Sequence, residues 1–130
     1  MAEDTPNRRA AATNVPDWVR DHYRLVDAAE LDSYINDFDP NVKLRFANTP
    51  PVTGREAARE GLAKGHAHHD MAHTIVGFFE DGDTAIVEFE VDYTYRDGNS
   101  ARIPSLAVIH RSTEGLFDDV RIYLDPQPPS

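Results

Sequence analysis

Three carboxylates recur at every second position of the stretch Thr84-Ala-Ile-Val-Glu-Phe-Glu-Val-Asp-Tyr-Thr-Tyr95. Alternation of this length predicts a single β-strand, so Glu88, Glu90 and Asp92 share one face with about 7 Å from each to the next. Held in a low-dielectric hollow, carboxylates this close repel and raise a pKa, which turns one of them into a general acid or base. Facing water, they need no such chemistry, and Arg45, Arg102 or Arg121 would pair with one as an ordinary ladder salt bridge. Alternation alone leaves both readings open. In the pocket reading Glu90 is the general base or acid and Asp92 its pKa partner.

The histidines offer the complementary proton carrier. His66, His68, His69 and His73 crowd one segment beside Asp70. A helix continuing through Gly65 would set His69 and His73 one turn apart, a metal spacing, but glycine there argues for an ending, and a solvated helix C-terminus favours a positive ring. No metal is assigned. His73, at the entry to a strand, and His110 are the two candidates for proton transfer, against the alternative of buried, hydrogen-bonded structural histidines. Asn48 supplies an amide that could orient a substrate oxygen. Phe46, Tyr34, Trp18, Met71, Leu106, Ile122 and Leu124 would furnish apolar wall or core. The sequence has no glycine-rich phosphate loop and no nucleophile elbow. Acid–base chemistry needs only positioned protons and stabilised charge, so no cofactor is required.

The elements that must hold these groups follow from periodicity. Residues 1–13 are polar and aperiodic and read as a disordered leader. Asn14 can cap a helix entered through Pro16, with Trp18, Val19, His22, Tyr23, Leu25 and Val26 as its apolar stripe. A second helix is expected over 28–38, ended by Asp39-Pro40, then a short strand over 42–46. Thr53-Gly-Arg-Glu56 has capping-box spacing for a third helix that ends near Lys64 or Gly65. Strands over 73–79, 84–95, 102–110 and 116–124 follow, with turns at Glu80-Asp-Gly-Asp83, Asp97-Gly98 and Thr113-Glu-Gly115. Residues 127–130 are a proline-rich tail. Helices first and hairpins afterwards give an α+β domain over 14–126: a curved antiparallel sheet wrapped around N-terminal helices into a cone with an apolar cavity. Phe89, Tyr93, Tyr95 and Tyr123 would then lie on the outer face, and an aromatic face of that kind predicts a homodimer.

Composition narrows the partners. The chain of 130 residues has 40% hydrophobic residues, enough for one core and too few for two domains. A formal charge of −10 repels phosphate backbones and anionic headgroups, which excludes nucleic acid and membrane surfaces. With no cysteine, no apolar leader and no bilayer-length segment, the chain reads as soluble and cytoplasmic.

Phe46-x-Asn48-x-Pro50, then Gly54-Arg55-Glu56-Ala57, then a meander closing in Arg121-x-Tyr123-x-Asp125-Pro126, resembles the nuclear transport factor 2-like superfamily, over roughly 17–126. Within it the chain is most similar to the SnoaL-like polyketide cyclase branch, related to limonene-epoxide hydrolases and ketosteroid isomerases. The resemblance implies a cystatin-like α+β cone. It further implies a cofactor-independent cyclase, isomerase, dehydratase or epoxide hydrolase acting on a small apolar molecule with an oxygen function. It turns the catalytic face of the long strand, here Glu88, Glu90 and Asp92, into the cone, and it places His110 in parity with pocket positions at Pro104, Leu106 and Val108. The chain departs from both well-defined chemistries. Phe46 stands for the hydrolases' tyrosine, Glu90-x-Asp92 for their Arg-x-Asp, and Ile122 for their second aspartate. The isomerases' base falls near Lys43 to Phe46 and their acidic donor near Ala107 and Val108. A non-catalytic ligand-binding or dimerisation module of the same fold is therefore the competing expectation.

Overall fold

The structure, a computed structural model, describes residues 9–125. Helix α1 (Asp17–Asp27) buries Val19, His22 and Val26 on the predicted stripe. Its cap position is Pro16 with no side-chain cap, whereas the Asn14 amide donates to the Phe78 carbonyl at 3.4 Å. The expected second helix contracts to α2 (Leu31–Tyr34) and one 3-10 turn (Ile35–Asp37), because the backbone is already extended at Phe38. The capping box does not form: the cap of α3 (Arg55–His68) is Gly54 at φ 102°, a left-handed conformation that glycine adopts without strain, and no side-chain cap bond is made. This helix runs through Gly65, so His66 and His68 are helical and His69 opens a strand.

Six strands, β1 (Phe38–Phe46), β2 (Val52–Thr53), β3 (His69–Asp81), β4 (Thr84–Tyr95), β5 (Ser100–Arg111) and β6 (Phe117–Leu124), form one curved, unclosed sheet. Their order is β2-β1-β6-β5-β4-β3, antiparallel throughout except for the parallel β1–β6 pair. The helices cover its concave side, and the expected α+β cone stands. The long strand falls at the predicted bounds, 84–95.

Its orientation does not follow the expectation. Ala85, Val87, Phe89, Val91 and Tyr93 are the buried, concave set, with Phe89 only 2% exposed. Glu88, Glu90 and Asp92 therefore lie on the convex face. Fully burying a valine or phenylalanine is worth about 1.5–3 kcal/mol, whereas burying unpaired carboxylates costs several, so the apolar parity goes in. Outside, Arg102 reaches Glu90 at 3.4 Å and Asp92 at 2.6 Å, the ladder salt bridges of the plainer reading. Phe89 and Tyr93, assigned to an outer dimer face, are interior, whereas Tyr123 of the same set is 44% exposed.

Part of the expected leader docks on the sheet. Arg9 donates to Glu88 at 2.6 Å, and the Ala12 N–H donates to the Ile75 carbonyl at 2.8 Å. The remainder of the leader (1–8) and the tail (126–130) lie outside the described residues. The register of β3 shifts between Ile75 and Gly77, where a Cβ on Gly77 would stand 2.7 Å from the Glu88 carboxylate. A larger residue there would displace the Glu88 carboxylate and crowd Phe79.

Candidate functional site

Between the helices and the concave sheet lies a cavity of about 360 Å³. Its walls are mainly apolar, and the polar side chains in them are His22 and Tyr23 of α1, Tyr34 of α2, Thr49 of the turn after β1, His66 near the end of α3, His69 and His73 of β3, and Ser105 of β5. Each has a local reason to be there. His22 and Tyr23 sit on the inward stripe of α1, and odd-numbered residues at the start of β3 share the concave parity.

His73 is the most constrained of these groups. Its backbone N–H donates to Asp27 Oδ2 at 2.8 Å, and its Nδ1 stands 2.6 Å from Asp27 Oδ1. A carboxylate only accepts, so Nδ1 carries a proton, and Nε2 is the ring nitrogen not taken up by Asp27. Asp27 is the last residue of α1, and α1 packs on β3. The ring of Tyr23 lies 5.1 Å from that of His73, and Phe89 lies 4.9 Å away on the other strand. Burial, reinforced by the charge of Asp27, pushes the Tyr23 phenol well above its usual value, so it stays protonated and can donate.

A second carboxylate–imidazole pair stands deeper. His22, 5% exposed, places Nδ1 2.8 Å from Asp37 Oδ2 and stacks its ring at 5.8 Å on Phe38. Burial lowers its pKa more than Asp37 raises it, so this ring is neutral. The Tyr34 hydroxyl and His66 Nε2 are 2.7 Å apart, and burial raises the phenol and lowers the imidazole. His69 is also lowered by burial, and its Nδ1 is buried without a hydrogen-bond partner among the described residues. No three His, Asp or Glu among the described residues are grouped to hold a metal ion.

Of the residues singled out in the sequence, His73, Phe46, Tyr34, Met71 and Ile122 line this cavity. The others do not. Glu90 and Asp92 are outside, paired with Arg102. His110 and Leu106 have the same outward parity across the sheet from Thr84 and Glu88, and His110 bonds Asp118 at 2.6 Å. The Asn48 amide oxygen accepts from Arg45 at 3.4 Å and is absent from the wall. Trp18 packs edge-on against Phe78 and Phe117 with the Arg111 guanidinium 3.9 Å over its ring, and Leu124 packs against the core.

Asp27, Tyr23 and His22 were missed as site residues. The signal available was Tyr23 and Asp27 at a four-residue helical spacing, with polar atoms on a stripe otherwise apolar.

Comparison with known proteins agrees with this architecture. The sequence profile of the SnoaL-like domain matches residues 19–120. No curated protein matches the chain. Among solved structures, the chain is similar to a candidate polyketide cyclase from Xanthomonas campestris pv. campestris, with a TM-score of 0.77 at 16% identity over 82% of this chain and 87% of that one. It is similar to the epoxide hydrolase/cyclase-like enzyme SalBIII of pyran ring formation in polyether salinomycin, with a TM-score of 0.70 at 19% identity over 82% and 87%. A protein with a ketosteroid isomerase-like fold from Catenulispora acidiphila, in complex with trimethylamine, gives 0.76 at 16% identity over 85% and 86%. At these identities the likeness is one of fold.

Proposed function

We propose, from the premise that this chain belongs to the SnoaL-like domain family, that it is a cofactor-independent acid–base enzyme acting on a small, largely apolar molecule with an oxygen function. The observation that carries this reading is His73, in the cavity wall, held through both its N–H groups by the two oxygens of Asp27. A base so oriented loses little entropy on reaching its transition state.

The chemistry follows from these groups. The Nε2 lone pair of His73 takes a proton from the carbon next to a carbonyl. The C–H electron pair becomes a C=C bond, and the carbonyl π pair moves onto oxygen. Asp27 stabilises the imidazolium that forms, as a fixed carboxylate does for a neighbouring histidine. The Tyr23 hydroxyl donates to the new oxyanion, a stabilisation worth most where water is excluded. The imidazolium then returns its proton: to another carbon in an isomerisation, to the alkoxide formed when the enolate carbon attacks a second carbonyl of the same molecule in a cyclisation, or to a β-hydroxyl that leaves as water while the enolate pair forms the C=C bond in a dehydration.

Deuterium exchange tests this without a known substrate. Incubated with cyclohexanone in D2O, the wild type is expected to exchange the α-protons faster than buffer, followed by NMR. His73→Gln and Asp27→Asn are each expected to lose about 10²–10⁴-fold of that rate. Binding of the ketone with no exchange above buffer would support the ligand-binding module instead.

A further inference from the structure

The cavity crosses the concave face from the β3 edge to the β1–β2 edge, four strand spacings of about 4.8 Å each along the sheet, and its two ends differ. At the β3 end are His73 and Tyr23, while His22 stands between Tyr23 and the rings of Phe38 and Phe117 on β1 and β6. At the opposite end are Phe46, Pro50 and Val52, where Phe46 is 47% and Val52 38% exposed. The polar groups of the turn beside them are engaged locally: the Thr49 hydroxyl donates to the Phe46 carbonyl at 2.6 Å, and Arg45 holds Asn48. No lysine or arginine lines the cavity among the described residues. Among the described residues nothing covers these half-exposed apolar side chains, and their continuity with an apolar cavity suits the hydrocarbon part of a bound molecule.

Resting on the acid–base reading above, we propose that the substrate is an elongated, uncharged molecule bound by polarity, with its oxygen at the His73–Tyr23 end and its hydrocarbon end laid across Phe46 and Val52 at the mouth. These two residues thereby select for length. A single-ring molecule reaches only one end and leaves the mouth uncovered. A carboxylate or phosphate ester meets no lysine or arginine inside and is disfavoured.

A homologous series reads this directly. Straight-chain 2-alkanones from 2-hexanone to 2-dodecanone, titrated calorimetrically, are expected to gain about fourfold in affinity per methylene until the tail has passed the mouth. Phe46→Ser and Val52→Ser, both at exposed positions, are expected to remove that gain for the longer ketones and to weaken 2-hexanone by much less. Dodecanoate is expected to bind more weakly than 2-dodecanone by at least tenfold. Mouth variants that weaken short and long ketones equally, or weaken neither, overturn the proposal, as does dodecanoate binding at least as tightly as the ketone. A graded response that survives alongside no α-proton exchange overturns the acid–base reading alone, so the two failures are distinct.

Discussion

His22 and His110 each bring Nδ1 to an aspartate, at 2.8 Å to Asp37 and 2.6 Å to Asp118, yet their pKa values move in opposite directions. On the concave side burial outweighs the carboxylate and lowers His22. On the convex side His110 is in water, and the hydrogen bond to Asp118 raises it. The same two residue types thus make an uncharged ring within the wall of a cavity and, on the outer surface, a ring held toward its charged form. What separates them is solvent, which sets the cost of the charged form. The two faces of β4 teach the same lesson: Phe89 touches the cavity from one, and Glu90 meets Arg102 on the other.

The largest effect that would sharpen this contrast is on activity. His73→Gln is expected to cost about 10²–10⁴-fold in α-proton exchange, whereas His110→Gln, outside the cavity, leaves the rate unchanged. Equal losses in both would abolish the distinction between the faces.

Next comes stability. Phe89→Ala removes a buried ring from both core and cavity and is expected to cost about 3–5 kcal/mol by urea denaturation. Glu90→Gln on the same strand breaks one partly exposed ion pair and is expected to cost about 1 kcal/mol or less. A larger loss for Glu90 than for Phe89 would mean that the parity has been misread.

The smallest effect is in the pH dependence, and the two histidines give it opposite signs. His22 has a folded pKa below its unfolded value of about 6.5, so below that pH the unfolded chain binds more protons, and stability falls as pH falls toward the folded pKa. His110 has a folded pKa above the unfolded value, so its contribution is complete below about pH 6.5 and is lost as pH rises through the folded pKa. Imidazole titration by NMR is expected to give His22 midpoints below, and His110 midpoints above, the ordinary histidine value. His22→Gln is expected to flatten the acid limb of the stability curve, and His110→Gln the neutral limb.

Much of the fold was legible in the chain. The alternation from Thr84 to Tyr95 and the Asp-Gly turns located β4 and its hairpins, and the motif around Phe46 and Gly54 pointed to the right family. Helix detail was less so: Asn14 and the Thr53–Glu56 pair have the right side chains for caps, but the backbone at Pro16 and Gly54 uses neither. The site was legible only in part. His73, read as a proton carrier, and Tyr34, Phe46, Met71 and Ile122, read as apolar wall or core, line the cavity, while Glu90, Asp92 and His110, read for chemistry, Asn48, read as orienting a substrate oxygen, and Trp18, Leu106 and Leu124, read as wall or core, are not in its wall.

The sequence by itself determined that β4 has one apolar and one acidic face, that a sheet would curl over helices, and that no thiol chemistry is possible. Which face lines the cavity was decided by tertiary structure, because a period of two defines faces without defining inside, and burial of Val87, Phe89 and Val91 against the helices outweighs any arrangement that buries three carboxylates. The proposed catalytic pair was likewise invisible locally. Asp27 and His73 lie 46 positions apart, and only the packing of α1 on β3 closes that distance to 2.6 Å.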